Sequence, residues 1–228
     1  MVTKKATEEK KELKGIILDV RSNPGGLLNE AVKITNFFIP KDKVVVTTKS
    51  KIEKWSETFK TNAEPLDLDM PITILIDNRS ASASEILAGS LQDYDRAVIM
   101  GERSFGKGLV QQEMELGDGS AVRLTVSRYY TPTGRSIQKP YSDDVEDYYV
   151  EYENRYEEGE LLNRDSIKVN DTLKYVTPKG KIVYGGGGII PDVFVPLDTT
   201  QYIDRIHYSR LNTFVFDYLD NNREQFEG

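Results

Sequence analysis

Lys107 lies in a glycine-rich stretch whose residue types suit two different chemistries. The segment GERSFGKG, residues 101–108, has the G-x-x-x-x-G-K spacing of a phosphate-binding loop, in which the lysine holds a nucleotide. A lysine in such a place can instead take a proton from a serine nucleophile. A phosphate-binding loop needs serine or threonine after its lysine and then a helix, but Gly108 follows and the next residues alternate like a strand. These departures favour a proton acceptor and leave nucleotide binding as the weaker alternative.

Ser82, in the stretch SASASEI, is the candidate nucleophile. Together with Glu85 it forms the S-x-x-E of a capping box ahead of an apolar helix, and that structural role alone would explain both residues. A serine at a strand-to-helix turn is also exposed above the sheet, and the next N–H, from Ala83, points out of the helix and can stabilise an oxyanion. A lysine can be the base for such a serine if burial lowers its pKa from about 10.4 toward neutrality. Phe105 and the glycines beside Lys107 suit close packing around a lysine.

Histidine, cysteine and metal chemistry are restricted by the composition. The chain has no cysteine, so disulfides, thiolate nucleophiles and cysteine–zinc sites are excluded. The single histidine, His207, lies among apolar residues at helical spacing, and we interpret it as a helix residue rather than a triad base or metal ligand. Residues 143–160 are acidic and rich in tyrosine but lack EF-hand spacing, so we interpret them as a helical insertion with a solvated face rather than a calcium site. We expect no metal and no organic cofactor.

The apolar pattern around these motifs predicts an α/β fold. Continuous apolar runs of strand length occur at residues 15–20, 72–77 and 96–101, as is typical of buried parallel strands. Helical patterns at 27–39 and after Ser82 separate the three runs. Because strands alternate with helices, we expect parallel pairing with helices on the faces of the sheet.

A different pattern follows Lys107. Residues 109–116 and 121–130 alternate apolar and polar side chains on either side of GDGS, which predicts a β-hairpin. A further strand is predicted at 43–50, with 51–60 as its candidate partner.

Length and charge limit the class of protein. The 228 residues, 38% of them hydrophobic, are interpreted as one domain, residues 1–228, with a charged arm or helix at 1–14 and a C-terminal helix at 199–226. The net charge of −7 argues against general binding of nucleic acid or anionic membrane. No apolar run approaches the roughly 18 residues of a membrane span.

Three long motifs occur in a recognisable order: GIILDVRSNPGG, then SASASEILAGSLQDYDRA, then GERSFGKGLVQ. With YYTPTGRSIQ and YGGGGIIPD further on, they resemble the carboxy-terminal processing proteases, also called tail-specific proteases, which are serine peptidases with a Ser/Lys dyad. The resemblance runs from about Gly15 to the YGGGGIIPD motif. It implies that Ser82 is the nucleophile and Lys107 the general base.

The same resemblance implies the supporting groups of the site. Gln111, four residues beyond the lysine, would assist it, although contact would require the chain to bend near Gly108 because strand residues four apart lie roughly 13 Å apart. The oxyanion donors would be the N–H groups of Ala83 and Gly26, with Gly25 as the alternative to Gly26.

What the resemblance implies for the whole protein is an endopeptidase core with a mixed β-sheet flanked by helices. It would cleave unfolded polypeptides or apolar C-terminal tails through an acyl-enzyme, without a cofactor. Members usually carry a PDZ domain before the core, and no segment of that length precedes Gly15. We therefore expect a catalytic core without the PDZ domain, and a periplasmic or otherwise extracytoplasmic parent, although the N-terminus carries no signal peptide. The alternative is a catalytically inactive protein- or ligand-binding module of the same fold.

Overall fold

The computed structural model describes residues 13–141, 145–199 and 205–222. Its contacts divide the chain into two compact units, Met1–Pro196 and Leu197–Gly228. The interpretation of residues 1–228 as one domain stays a prediction. The predicted arm at 1–14 lies almost wholly outside the described residues.

In chain order the elements are β1 (Ile16–Asp19), α1 (Leu28–Asn36), β2 (Val44–Lys49), β3 (Glu57–Lys60), β4 (Ile72–Ile76), α2 (Ala83–Asp93), β5 (Val98–Gly101), β6 (Leu109–Glu115), β7 (Ala121–Tyr130), α3 (Val145–Glu157), β8 (Lys174–Val176), β9 (Ile182–Tyr184), β10 (Val193–Phe194) and α4 (Arg205–Asn221). Short 3-10 helices lie at Glu53–Trp55, Arg164–Ser166 and Asp171–Leu173.

A parallel sheet carries the candidate catalytic loops. Its strand order is β1-β4-β5-β10, and every neighbouring pair is parallel. The three apolar runs predicted as parallel strands form β1, β4 and β5, which confirms that prediction. Because the carboxyl ends of parallel strands meet at one edge of a sheet, the loops after β1, β4 and β5 converge there. These loops contain the NPGG, SASAS and FGKG motifs.

Helix α2 packs in the centre of the larger unit. All of its residues, Ala83–Asp93, are buried, and Ile86, Leu87 and Leu91 belong to one core with the isoleucines of β4. The burial includes its polar residues, among them Glu85, Ser90 and Gln92, which form hydrogen bonds with other segments. The helix that begins just after Ser82 is therefore a rigid part of the fold.

An antiparallel sheet, ordered β3-β2-β7-β6, forms the other wall of the site. β6 and β7 are the hairpin predicted after Lys107, and β3 pairs with β2 as the sequence indicated. The predicted α/β fold with parallel and antiparallel strands is confirmed, and the two kinds of pairing lie in separate sheets. β8 and β9 form a third, two-stranded sheet.

The acidic insertion, residues 143–160, contains α3, as predicted. Our interpretation of its charged face as solvated is wrong for two residues, since Arg155 is 4% exposed and Glu160 is 3% exposed. They are buried because Arg103 on the β5–β6 loop pairs with Glu160, and Arg155 donates to carbonyls of that loop. The sequence shows that Arg155 and Glu160 are charged, but it does not show which groups of the fold they contact.

The smaller unit contains α4, which confirms a helix within the predicted range 199–226. His207 lies in this helix. Phe214 and Tyr218, one turn apart, stack with ring centroids 5.9 Å apart. Within the described ranges, no helix combines the length and the apolar character needed to cross a bilayer.

Candidate active site

One cleft brings together all the residues that the sequence singled out for catalysis. It has a volume of about 550 Å³ and lies between the loops of the parallel sheet and strand β6. Its lining includes Ser82, Ala83, Lys107, Gln111 and Gly26. Residues distant in sequence therefore meet at one surface.

The backbone of Ser82, a half-buried residue, is strained. Ser82 lies between β4 and α2 with φ of +55° and ψ of −117°, a conformation that a non-glycine residue rarely adopts. Such strain is typical of functional sites, where a sharp strand-to-helix turn presents a serine above the sheet. The first residue of the helix, Ala83, follows directly, so its N–H is one of the N-terminal donors that an α-helix leaves without a partner in its own backbone ladder.

The NPGG loop lies directly against Ser82, the candidate nucleophile. A Cβ on Gly25 would fall 2.6 Å from the Ala81 carbonyl oxygen and 2.7 Å from the Ala83 nitrogen, so only glycine fits there. The N–H of Gly25 donates to the Asn23 side chain at 2.9 Å. Since that donor is occupied, Gly26 is the better candidate for the second oxyanion donor.

Side chains at the ends of β1 and β4 hold this loop and the serine turn together. The Asp77 carboxylate accepts the N–H of Ser22 at 2.9 Å and the N–H of Ser80 at 2.9 Å. Ser80 Oγ donates to the Val20 carbonyl at 2.7 Å, and Ser84 Oγ donates to a carbonyl of the NPGG loop. Asp77, Ser80 and Ser84 therefore hold the turn and the loop in place through hydrogen bonds to the main chain.

Glu85 links the backbones of the two candidate catalytic residues. Its buried carboxylate accepts the N–H of Ser82 at 2.9 Å, the N–H of Lys107 at 2.8 Å, the N–H of Gly106 at 2.7 Å and the hydroxyl of Ser104 at 2.5 Å. Burial raises the pKa of Glu85, and the four hydrogen bonds oppose that shift. The capping role predicted for Glu85 is present, and the bridge to the lysine is additional.

Tyr129 makes a second link, which the sequence did not indicate. Its ring is 1% exposed on β7, and its hydroxyl lies 3.1 Å from the Ser82 carbonyl oxygen and within hydrogen-bond distance of the Lys107 carbonyl oxygen. The motif RYYTPTGRSIQ contains this tyrosine, but nothing in a strand pattern shows which ring faces the serine turn. Only the antiparallel sheet beside α2 brings it there.

The surroundings of Lys107 bear on both of its proposed chemistries. Within residues 13–141, 145–199 and 205–222, its ammonium has no ion-pair partner. The chain continues into strand β6, and the N–H groups of Gly106 and Lys107, which would cradle a phosphate, already bind a carboxylate. The geometry therefore does not fit a phosphate-binding loop.

Gln111 reaches the cleft from β6. The β6–β7 register shifts between Val110 and Gln111, so the strand is irregular close to the place where we expected a bend. Across the described ranges, no group of acidic and histidine side chains is arranged to hold a metal ion.

Comparison with known proteins gives the family of the chain. The model of Peptidase family S41 matches residues 2–147, more than half of the sequence. The chain belongs to Peptidase family S41. The matched region contains the NPGG, SASAS and FGKG motifs, so the S41 assignment rests on the same residues that line the cleft.

Two S41 relatives carry the same kind of name. A carboxy-terminal-processing protease of Bartonella bacilliformis is 49% identical over 129 residues, which is 56% of this chain and 29% of the relative. A carboxyl-terminal-processing protease of Synechocystis sp. is 44% identical over 125 residues, 55% of this chain and 29% of the relative. The chain thus spans less than a third of the length of either one.

A solved structure with this fold is the photosystem II D1 C-terminal processing protease. It superposes with a TM-score of 0.56 and 27% identity, covering 86% of this chain and 37% of that protein. The similarity extends the S41 assignment to the three-dimensional arrangement of helices and sheets.

Proposed function

We propose that this chain is the catalytic core of a serine endopeptidase that uses Ser82 and Lys107 as a dyad. The observation that carries the proposal is the shared cleft, which is lined by a strained serine, by a lysine without an ion-pair partner among the described residues, and by the candidate oxyanion residues Gly26 and Ala83. Membership of family S41 supports the same assignment.

In the proposed reaction, Ser82 Oγ attacks the scissile carbonyl carbon while neutral Lys107 Nζ takes the hydroxyl proton. The N–H groups of Ala83 and Gly26 stabilise the carbonyl oxygen as it becomes negative. The C–N bond then breaks, and the leaving amine takes the proton from Lys107. A water molecule attacks the acyl ester while the lysine accepts its proton; the ester C–O bond then breaks, and the lysine passes that proton to Ser82 Oγ, which restores the free hydroxyl and the neutral amine. Gln111 assists by orienting the lysine side chain.

The shape of the surface supports an extended polypeptide substrate. A second groove of about 710 Å³ shares Leu27, Leu28 and Val110 with the cleft and continues between α1 and the antiparallel sheet. Trp55 and Phe59 lie along it. The groove combines such apolar side chains with charged and polar ones and is continuous with the cleft, which suits an extended chain, so we propose unfolded polypeptides or apolar C-terminal tails as substrates.

We also propose that the parent protein works outside the cytoplasm, which is the compartment that its resemblance to tail-specific proteases implies. Fractionation of the source cells, with an antibody against this chain, tests the location. Recovery with extracytoplasmic markers is expected, and recovery only with cytoplasmic enzymes would contradict it.

The activity is tested by degradation of an unfolded protein with an apolar tail. We expect the chain to cleave it, the Ser82→Ala and Lys107→Ala variants to be inactive, and Ser120→Ala, which changes an exposed hairpin serine, to retain activity. Equal cleavage by the Ser82→Ala form would contradict the assignment. Binding of the tail without cleavage by the unmutated chain would favour the inactive binding module instead.

A further inference from the structure

The lysine loop, residues 102–108, joins β5 to β6 and carries Lys107. Four successive N–H groups, from Ser104 to Lys107, donate to acceptors elsewhere in the protein, the last two to the Glu85 carboxylate. Backbone carbonyl groups need hydrogen-bond partners as much as N–H groups do. For the carbonyl groups at the start of the loop, the hydrogen-bond donor comes from the acidic insertion.

Arg155 on α3 is the donor to these carbonyls. Its Nη1 donates to the carbonyl oxygens of Arg103 at 3.2 Å and Ser104 at 3.0 Å, and its Nη2 to that of Phe105 at 3.5 Å. A guanidinium presents five N–H donors in a planar fork, which allows one side chain to bind three successive carbonyls. The loop is thus held by a carboxylate on its N–H groups and a guanidinium on its carbonyls.

The guanidinium of Arg155 is itself fixed by the insertion. Glu151, one turn earlier, accepts from its Nε at 3.1 Å and its Nη2 at 2.9 Å. Glu151 also pairs with Lys139, and Glu160 pairs with Arg103 through bonds of 2.6 and 2.5 Å. Three cations and two carboxylates therefore meet on one side of the lysine loop, which makes rotation of Arg155 away from the carbonyls costly.

Lys139 connects this group to the next residues of the loop. Its ammonium lies 4.2 Å from the centroid of the Phe105 ring, and its N–H donates to the Gly106 carbonyl at 3.0 Å. Residues 103–105 therefore contact the insertion itself, and Gly106 contacts the main chain of Lys139, whose ammonium the insertion binds. Only Lys107 extends beyond these contacts into the cleft.

We propose that Arg155 is a positioning residue for catalysis, which holds the lysine loop so that Lys107 projects toward Ser82. The proposal rests on the proposed function. It assigns a role to the acidic insertion, because Arg155 lies beyond residue 147, where the match to the family model ends.

The test compares two matched arginine variants. Arg155→Lys keeps the charge, but an ammonium cannot span three carbonyls and Glu151 at once. Arg96→Lys is the control, since Arg96 likewise donates to three backbone carbonyls, those of Phe38, Met70 and Asp67, away from the cleft. Each variant loses a guanidinium that binds three carbonyls, and Arg155→Lys also loses the two hydrogen bonds to Glu151, so its thermal stability is expected to fall at least as much as that of Arg96→Lys.

Two readouts separate positioning from general stability. For Arg155→Lys we expect kcat to fall about 10- to 100-fold, because a displacement near 1 Å has that effect, while KM stays within about twofold. Hydrogen exchange at the N–H groups of Gly106 and Lys107 is expected to accelerate about tenfold. Arg96→Lys should change neither value relative to the unmutated chain.

Hydrogen exchange does not require an active enzyme, so the two proposals fail separately. Unchanged exchange at Gly106 and Lys107 in Arg155→Lys overturns the positioning role, as does a kcat equal to that of Arg96→Lys. If exchange is faster in Arg155→Lys but the unmutated chain cleaves no peptide, the result supports the contact between Arg155 and the lysine loop. It then counts against the proposed function alone.

Discussion

Ser82 and Lys107 are joined through their main chains by two separate side chains. The Glu85 carboxylate accepts the N–H of each residue, at 2.9 and 2.8 Å, and the Tyr129 hydroxyl lies within hydrogen-bond distance of the carbonyl oxygen of each. A serine and a lysine on different loops are thereby kept in a fixed relation before any substrate arrives. Preorganisation of this kind lowers the cost of reaching the transition state.

Glu85→Gln should disrupt the relation between the two loops. The four donors around Glu85 need four acceptor sites, and a glutamine turns one of the two oxygens into an NH₂ donor. We expect kcat to fall about 100-fold and the free energy of unfolding to fall by about 2–4 kcal/mol, because buried donors lose their acceptors. Glu158→Gln, in an exposed pair with Lys168, is the control. Full activity of Glu85→Gln would contradict the role given to Glu85.

The stability of the protein should depend on pH through Glu85. Burial raises its pKa in the folded chain above the unfolded value. The folded state therefore holds this proton to higher pH, and the contribution to the free energy of unfolding is full below the unfolded pKa and is lost as pH rises through the folded one. Glu85→Gln cannot titrate. The stability difference, unmutated chain minus variant, should be larger near about pH 4 than near about pH 8 in urea denaturation. A stability difference that grows with pH would contradict this prediction, because it would mean that the hydrogen bonds lower the pKa of Glu85 by more than burial raises it.

Tyr129→Phe removes a hydroxyl that lies against the main chains of both candidate catalytic residues. The single hydroxyl proton, which lies between the carbonyl oxygens of Ser82 and Lys107, would be lost in a buried place, so we expect a stability loss of about 1–2 kcal/mol and a kcat about tenfold lower. Tyr130→Phe, at the next position of β7, is the matched control, because its ring packs under Lys49 with the ammonium 4.6 Å from the centroid. Equal kinetics for the two variants would mean that Tyr129 has only a packing role.

Gly25→Ala tests how closely the NPGG loop approaches the nucleophile. At φ of +94° the added methyl would be strained, and it would also meet Ala81, Ser82 and Ala83 at 2.6 to 2.8 Å. Gly180→Ala is the control, since φ is +86° there and nothing lies within 4 Å of the new atom. The control should lose about 1 kcal/mol from strain alone, whereas Gly25→Ala should lose more and should be inactive. Circular dichroism melts and cleavage assays provide both values, and an active Gly25→Ala would contradict the contact.

Local pattern was enough to predict the elements that carry the site. The useful signals are local: apolar runs, the S-x-x-E ahead of α2 and the glycines of the loops each involve only a few neighbouring residues. They were enough to place Ser82 and Lys107 in loops next to predicted elements. The contacts that hold these residues were not predictable, because their partners are far apart in sequence. Glu85 and Lys107 are separated by 22 residues, and Tyr129 and Ser82 by 47.

The acidic insertion shows the same limit, because there a local pattern led to a wrong prediction of exposure. Its composition predicts a solvated helix, because charges on a short amphipathic stretch usually face water. Arg155 and Glu160 are buried instead, since the loop beside them supplies carbonyl oxygens and the Arg103 guanidinium. A buried charge is tolerated where partners exist, and partners from other segments do not appear in a local pattern.

The central claim is that Lys107 activates Ser82, and trapping the acyl-enzyme tests it most directly. The chain and its Ser82→Ala and Lys107→Ala variants are incubated with a peptidyl acylating probe, and the modified peptide is located by mass spectrometry. We predict a single adduct on Ser82 in the unmutated chain, at least about 100-fold slower labelling in Lys107→Ala, and none in Ser82→Ala. Labelling of Ser82 at the same rate in the presence and absence of the lysine would contradict the account.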